Sequence, residues 1–213
     1  SQQEKWKQLL TIINFLDLNL KNKVILVLLL IFTTSGFSQN RERVEFNVDG
    51  LYKGVYSEVL QQPLWVAYTV KCPNGQASRK GMNFFVPAKI KTSDDLDYAN
   101  NIYDKGHMAP AAAFSCNRGM LLKTFSYLNS ALQHQGLNRG QWNQLESFER
   151  DLANFYTVRV HIKVLFEGKQ NRLKTGAVIP SGFIKTLTFD NKKIIFKFPN
   201  KDTKGTDWID YKQ

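Results

Sequence analysis

Residues 40–213 are predicted to form a single α+β domain, a central and mainly antiparallel sheet flanked by helices, and three observations predict it. Five short stretches rich in β-branched and aromatic residues each stop at a Gly or Pro signal. One longer stretch instead repeats its apolar residues at helical spacing. No internal repeat or low-complexity linker divides the region, and the 43% hydrophobic content is that of a folded chain.

The first strand, 65–70, runs into the turn signal Cys72-Pro73-Asn74-Gly75, and the second, 81–86, stops at Pro87; the two are expected to pair as a hairpin. The helix is expected over about 138–154. Trp142, Leu145, Phe148, Leu152 and Phe155 fall on one stripe at about 100° per residue, a face to bury against the sheet. Asn138, four residues before Trp142, lies about 40° around the axis from it and can point to the sheet side. It also fits an N-cap, with Gln141 three residues on as in a capping box. Glu146 and Arg150 stand on the other margin as an i,i+4 pair, which alone would read as a surface salt bridge. Three further strands follow: 156–166 alternates until Gly168, 177–179 stops at Pro180, and 193–198 stops at Pro199.

The chain carries a formal net charge of +11 and a pI near 9.6, which suits a polyanionic partner, nucleic acid or an anionic membrane surface. Residues 19–39 read as an export signal. Lys21 and Lys23 precede nine unbroken apolar residues, 24–32, and the small Gly36 and Ser38 suit cleavage near Gln39. That run is shorter than the roughly 20 residues a span requires, so no stable membrane anchor is expected and the product is periplasmic or secreted. Residues 1–18 form an upstream extension with Trp6, Leu9, Leu10, Ile13 and Leu16 at helical spacing. Cys72 and Cys116 could bridge in an oxidising compartment; two free buried thiols fit the sequence as well.

The chemistry is concentrated in Asp104-Lys105-Gly106-His107-Met108-Ala109-Pro110. It sets an acid, a fixed cation and an imidazole that titrates near neutrality within four residues, and Gly106 is expected to give the backbone an angle that other residues resist. Downstream come Asn129 and Gln133, then Asn138-Arg139-Gly140-Gln141-Trp142 with Leu145 and Glu146. Taken together these segments resemble the DNA/RNA non-specific endonucleases of the ββα-metal class. That family's pattern is Asp-Arg-Gly-His-x-Ala-Pro, a Ser-Asn-x-x-Pro-Gln segment, and Asn-x-Gly-x-Trp-x-x-Leu-Glu. The resemblance extends to Tyr56-Ser57-Glu58, to 62–68 and to 179–185.

The resemblance implies a ββα-metal motif and an enzyme, exported if the signal at 19–39 is used, that hydrolyses phosphodiester bonds in DNA and RNA with little sequence preference. Such hydrolysis requires an activated water, a cation for the phosphorane charge and a proton for the leaving oxygen. By the resemblance, His107 is the general base, Asn138 binds Mg²⁺ (or Mn²⁺), and Glu146 orients metal-bound water. Asp104, Lys105, Arg150 and Arg79 shape the site or hold phosphate, with Arg79 placed only by the upstream strand pair, and Asn129 supports the backbone around them. A hard divalent ion accepts oxygen ligands and keeps several waters, so one amide ligand suffices when phosphate completes the shell. Two departures stand out. Lys105 replaces the family's Arg and loses the planar two-pronged grip on phosphate, and Leu132 replaces the family's Pro in a loop. A catalytically inactive nucleic-acid binder is the alternative function. His134 and His161 lack Asp, Glu or Cys at ligand spacing and read as structural. No Gly-rich phosphate loop, Ser-x-x-Lys or Cys-x-x-Cys occurs, which argues against nucleotide-cofactor enzymes, Ser-Lys acyl transfer and structural zinc.

Overall fold

The computed structural model describes residues 41–213; the expected leader and upstream extension lie outside the described residues. Ten strands occur in chain order: β1 (Val44–Val48), β2 (Tyr52–Ser57), β3 (Gln62–Thr69), β4 (Tyr103–His107), β5 (Ser130–His134), β6 (Arg159–Leu165), β7 (Asn171–Arg172), β8 (Val178–Ile179), β9 (Gly182–Phe189) and β10 (Lys192–Pro199). The helices are α1 (Asp95–Tyr98), α2 (Arg118–Lys123), the single turn α3 (Gln135–Leu137) and α4 (Asn143–Ala153). Six strands make one antiparallel sheet in the order β1-β2-β3-β6-β9-β10, β4 pairs with β5 alone, and β7 with β8.

Two turns explain why the sheet closes as it does. Asp190 and Asn191 join β9 to β10 with φ of 45° and 56°, the left-handed pair whose twist matches a two-residue hairpin. Asp49 and Gly50 turn β1 into β2 with φ of 48° and 68°. Period-two alternation then assigns the faces: on β6, Val160, Ile162 and Val164 are buried while Arg159, His161 and Lys163 are exposed. The inner face packs on α4 through Trp142, Leu145, Phe183, Leu187, Phe196 and Phe198, all essentially inaccessible. Burial of each such side chain is worth about 1.5–3 kcal/mol. Trp208 closes one end against Phe148 and Phe196, at 4.8 and 5.6 Å between ring centroids.

The structure corrects two expectations. Residues 81–86 do not pair with 65–70: β3 lies between β2 and β6, and the only ladder contact in 81–86 is one bridge from Phe85 to Ser126. Phe84 is drawn instead over the imidazole of His107, 4.8 Å between ring centroids, leaving Phe85 and Val86 exposed. The helix also does not run unbroken from 138. Gly140 takes φ −100° and ψ −113°, so a five-residue wide turn, Asn138–Trp142, precedes α4, and Phe155 ends 81% exposed beyond the stripe. Cys72 and Cys116 form a disulfide with Cα atoms 5.3 Å apart, which resolves the pairing the sequence left open.

Candidate active site

The site is built where β4, β5 and the turns that follow them meet α4. His107 ends β4 opposite Ser130, and Asp104 sits opposite Gln133. Gly106 is required by space and not by a left-handed backbone, since a Cβ there would lie 2.3 Å from Gln133 Oε1 and 2.5 Å from its Cβ. The sequence reading of Gly106 is thus corrected: the Gln133 side chain of the neighbouring strand, diagonal to it in the ladder, and not its φ, excludes a side chain. Asn129, fully buried, accepts from the Ala109 amide at 2.7 Å and donates to the Ala109 and Thr124 carbonyls at 2.8 and 2.9 Å. The Asn129 side chain therefore ties the backbone two residues beyond His107 to that of Thr124.

A cleft of about 780 Å³ gathers Arg79, Asp104, Lys105, His107, Asn138, Glu146 and Arg150 on one wall system. These are all the sequence-predicted site residues except Asn129, which lies behind the wall. His107 is clasped between Phe84 and Phe125, at 4.8 and 4.9 Å, and its buried Nε2 has no protein partner. Burial, aided by the nearby Arg79 charge, lowers its pKa to about 3, so the imidazole is neutral at physiological pH with a lone pair to give. Arg79 lies on an extended loop, not on a strand as expected, and Arg118 fixes that loop by donating to the Ser78 and Lys80 carbonyls at 3.0 and 3.2 Å.

Asn138 is not an N-cap. The Gly136 amide is capped by His134 Nδ1 at 3.1 Å, while Asn138 Nδ2 donates to Asp104 Oδ2 at 2.8 Å. Arg139 grips the same carboxylate twice, from Nε at 2.8 Å and Nη2 at 2.6 Å. Burial would raise the Asp104 pKa, but the hydrogen bonds from Arg139 and Asn138 outweigh it and hold the carboxyl below its ordinary range. Asp104 thereby locks the Asn138 amide, and no described residue donates to Asn138 Oδ1. Lys105 pairs with Asp95 of α1 and stands 5.5 to 6.0 Å from the centroids of Phe84, Tyr127 and Tyr98.

Glu146 and Arg150 do not form the surface ion pair their spacing suggests. Arg150 donates to the Glu146 carbonyl at 3.0 Å and to Ser147 Oγ at 2.9 Å. The Glu146 side chain is only 13% exposed and faces Lys185 Nζ at 3.9 Å. Burial pushes its pKa up to about 7; the Lys185 cation opposes that rise and the Glu149 charge adds to it. Beneath it lies a network that sequence reasoning missed: Lys185, wholly buried, donates to Glu149 at 2.7 Å, Tyr68 donates to the same carboxylate at 2.5 Å, and the Lys185 ammonium sits 4.0 Å over Trp142. Its signal was present. Glu149, seven residues after Trp142, falls within the apolar stripe on its Trp142 side, where a charge has to find a buried partner. Arg139 was missed as well, although it adjoins Asn138.

The family model for DNA/RNA non-specific endonucleases matches residues 32–213. The chain is 31% identical over 108 residues to the mitochondrial nuclease EXOG of Danio rerio, covering 48% of this chain and 31% of that one. It is 29% identical over 167 residues to a nuclease of Serratia marcescens, covering 70% and 62%. It is 31% identical over 143 residues to the mitochondrial nuclease of Saccharomyces cerevisiae, covering 62% and 40%. The chain thus spans less than two thirds of the length of these relatives. A solved structure of the EndoG/EndoGI complex superposes with a TM-score of 0.67 at 24% identity, covering 84% of this chain and 82% of that one.

Proposed function

The chain belongs to the DNA/RNA non-specific endonuclease family, and from that premise we propose that it is a metal-dependent endonuclease hydrolysing phosphodiester bonds in DNA and RNA with little sequence preference. The observation that carries the proposal is the convergence on one cleft of a neutral His107, an Asn138 amide locked by Asp104, and the cations Arg79 and Arg150. His107 takes the proton from the attacking water. Arg79 and Arg150 hold the phosphate. Lys105, already paired with Asp95, contributes chiefly by fixing the aromatic wall around His107.

Asn138 Oδ1 and the Glu146 carboxylate put oxygen donors on the cleft wall, the ligand type that Mg²⁺ or Mn²⁺ takes. Among the described residues no three His, Cys, Asp or Glu side chains gather into a metal cage. The residues fit an ion held by Asn138, with Glu146 positioning water beside it. Such an ion supplies charge neutralisation at the phosphate and acidifies water. A cleft that grips phosphate and reads no base edges gives sequence-tolerant, salt-sensitive binding.

The leader at 19–39 sends the protein out of the cytoplasm in this reading. The Cys72–Cys116 disulfide suits an oxidising compartment, and among the described residues no helix is long and apolar enough to cross a membrane. N-terminal sequencing of the exported protein is expected to begin near Gln39.

Incubating the purified protein with plasmid and with RNA, under Mg²⁺, Mn²⁺ or EDTA, tests the activity. Degradation of both that EDTA abolishes is the expected result. Intact nucleic acid under both metals leaves a binding protein and removes the enzyme.

A further inference from the structure

The outer face of the sheet, opposite α4 and the cleft, has a chemistry of its own. Arg159 and Lys163 project from β6, and Lys193 and Lys197 from β10; all four are exposed. The ladder sets Arg159 and Lys193 on either side of Thr188, and Lys163 and Lys197 on either side of Ile184. With strands about 4.8 Å apart and about 3.3 Å per residue, the four cations mark the corners of a patch roughly 10 by 13 Å. His161 lies between the β6 pair, stacked on Trp65 at 5.4 Å and 22°. No outward position of β3, β6, β9 or β10 holds a carboxylate. At the rim, Glu167 lies 3.3 Å from Lys197. A hollow of about 450 Å³ opens at the Arg159 end, lined also by Lys53 and Thr69.

The charge selects the occupant. A second copy of this chain would bring like charges together. This face offers no apolar membrane anchor, because none of the large exposed hydrophobic residues among the described ones lies on it. A phosphodiester backbone matches both the cations and the Trp65–His161 stack, against which an unpaired base can lie. We propose that this face is a second nucleic-acid-binding surface, which holds a distal part of a long strand while another part occupies the cleft on the opposite side of the sheet. The endonuclease reading supports only the choice of nucleic acid as the polyanion; the charge geometry is independent of it.

The test uses the full chain and its Arg159→Gln/Lys163→Gln/Lys193→Gln variant. Equilibrium binding is measured in EDTA, without cleavage, to a long single-stranded DNA and to an octanucleotide across about 50–200 mM salt. Losing three phosphate contacts on a single strand lowers the slope of log K against log salt by about 2. We expect that change on the long strand, with at least a tenfold loss of affinity, and no change on the octanucleotide. A Lys163→Glu/Lys193→Glu variant with an unchanged melt should lose more. Unchanged slope and affinity for the long strand in both variants overturn the proposal. So does a loss confined to binding of phosphatidylserine vesicles, which would assign the face to a lipid surface. Because binding is read without turnover, a protein that cuts nothing yet loses the salt slope sinks the enzyme reading and keeps this one.

Discussion

Lysines on the two faces of the central sheet live in opposite environments. On the inner face Lys185 is fully buried with Glu149 at 2.7 Å and Glu146 at 3.9 Å; on the outer face Lys163 and Lys193 are exposed and belong to no ion pair among the described residues. Period-two alternation produces the difference, since β9 turns Lys185 inward between Phe183 and Leu187 while its neighbours Ile184 and Thr186 face out. The comparison teaches that a lysine's position in the ladder decides whether it is part of the architecture or part of a surface. Inside, charge has to be neutralised locally because the medium does not screen it; outside, charge is free for a partner.

The largest expected effect would break that contrast from within. Lys185→Met leaves Glu149 with only Tyr68 and removes the cation facing Glu146, and breaking a buried pair this way costs about 3–5 kcal/mol. Lys163→Met is expected to leave the denaturant midpoint unchanged. Urea melts of the two variants check this, and equal midpoints would contradict the assignment of Lys185 to the architecture.

Titration sharpens the inner side further. The His107 pKa is about 3 in the folded protein against about 6.5 unfolded. Between these values the unfolded chain takes up a proton that the folded one does not, so stability is complete above pH 6.5 and declines as pH falls. About 1.6 kcal/mol should be lost between pH 6.5 and 5. His107→Gln should remove that component, which melts at the two pH values in both proteins will show; identical acid sensitivity would count against a buried neutral imidazole.

The smallest effect belongs to the exposed rim of the cleft. Arg139→Ala frees Asp104, and with it the orientation of the Asn138 amide, while the Arg139 side chain is itself two-thirds exposed. The melt should stay where it is and the Mg²⁺ concentration for half-maximal activity should rise. A shifted melt with unchanged metal dependence would make Arg139 a stabilising residue only.

Much of this was legible beforehand because it is local. Alternation marked the positions of β3, β6 and β10, and the Asp104 to Pro110 segment brought the acid, imidazole and turn together within seven residues. The turns at Asp49-Gly50 and Asp190-Asn191 carried hairpin signals of their own, yet β1, β2 and β9 went unread beside the stronger patterns. The remainder is tertiary. Nothing in 81–86 announces that Phe84 leaves a β-rich run to cover His107, and the pairing of Glu149 with Lys185 joins residues 36 apart through the packing of α4 on the sheet. Asn138 shows the limit most clearly: its sequence neighbourhood suited a cap, and only the approach of Asp104 from β4 gives the amide another use.

The most direct test of the account is turnover against Mg²⁺ concentration for His107→Ala and Asn138→Ala, with thermal melts of both. Loss of a general base predicts that His107→Ala falls at least ~10²-fold and is not rescued by metal. Loss of an oxygen ligand predicts that Asn138→Ala recovers part of its activity at high Mg²⁺. An Asn138→Ala protein with normal activity and unchanged Mg²⁺ dependence, or a His107→Ala protein restored by Mg²⁺, would contradict the division of labour between the two residues.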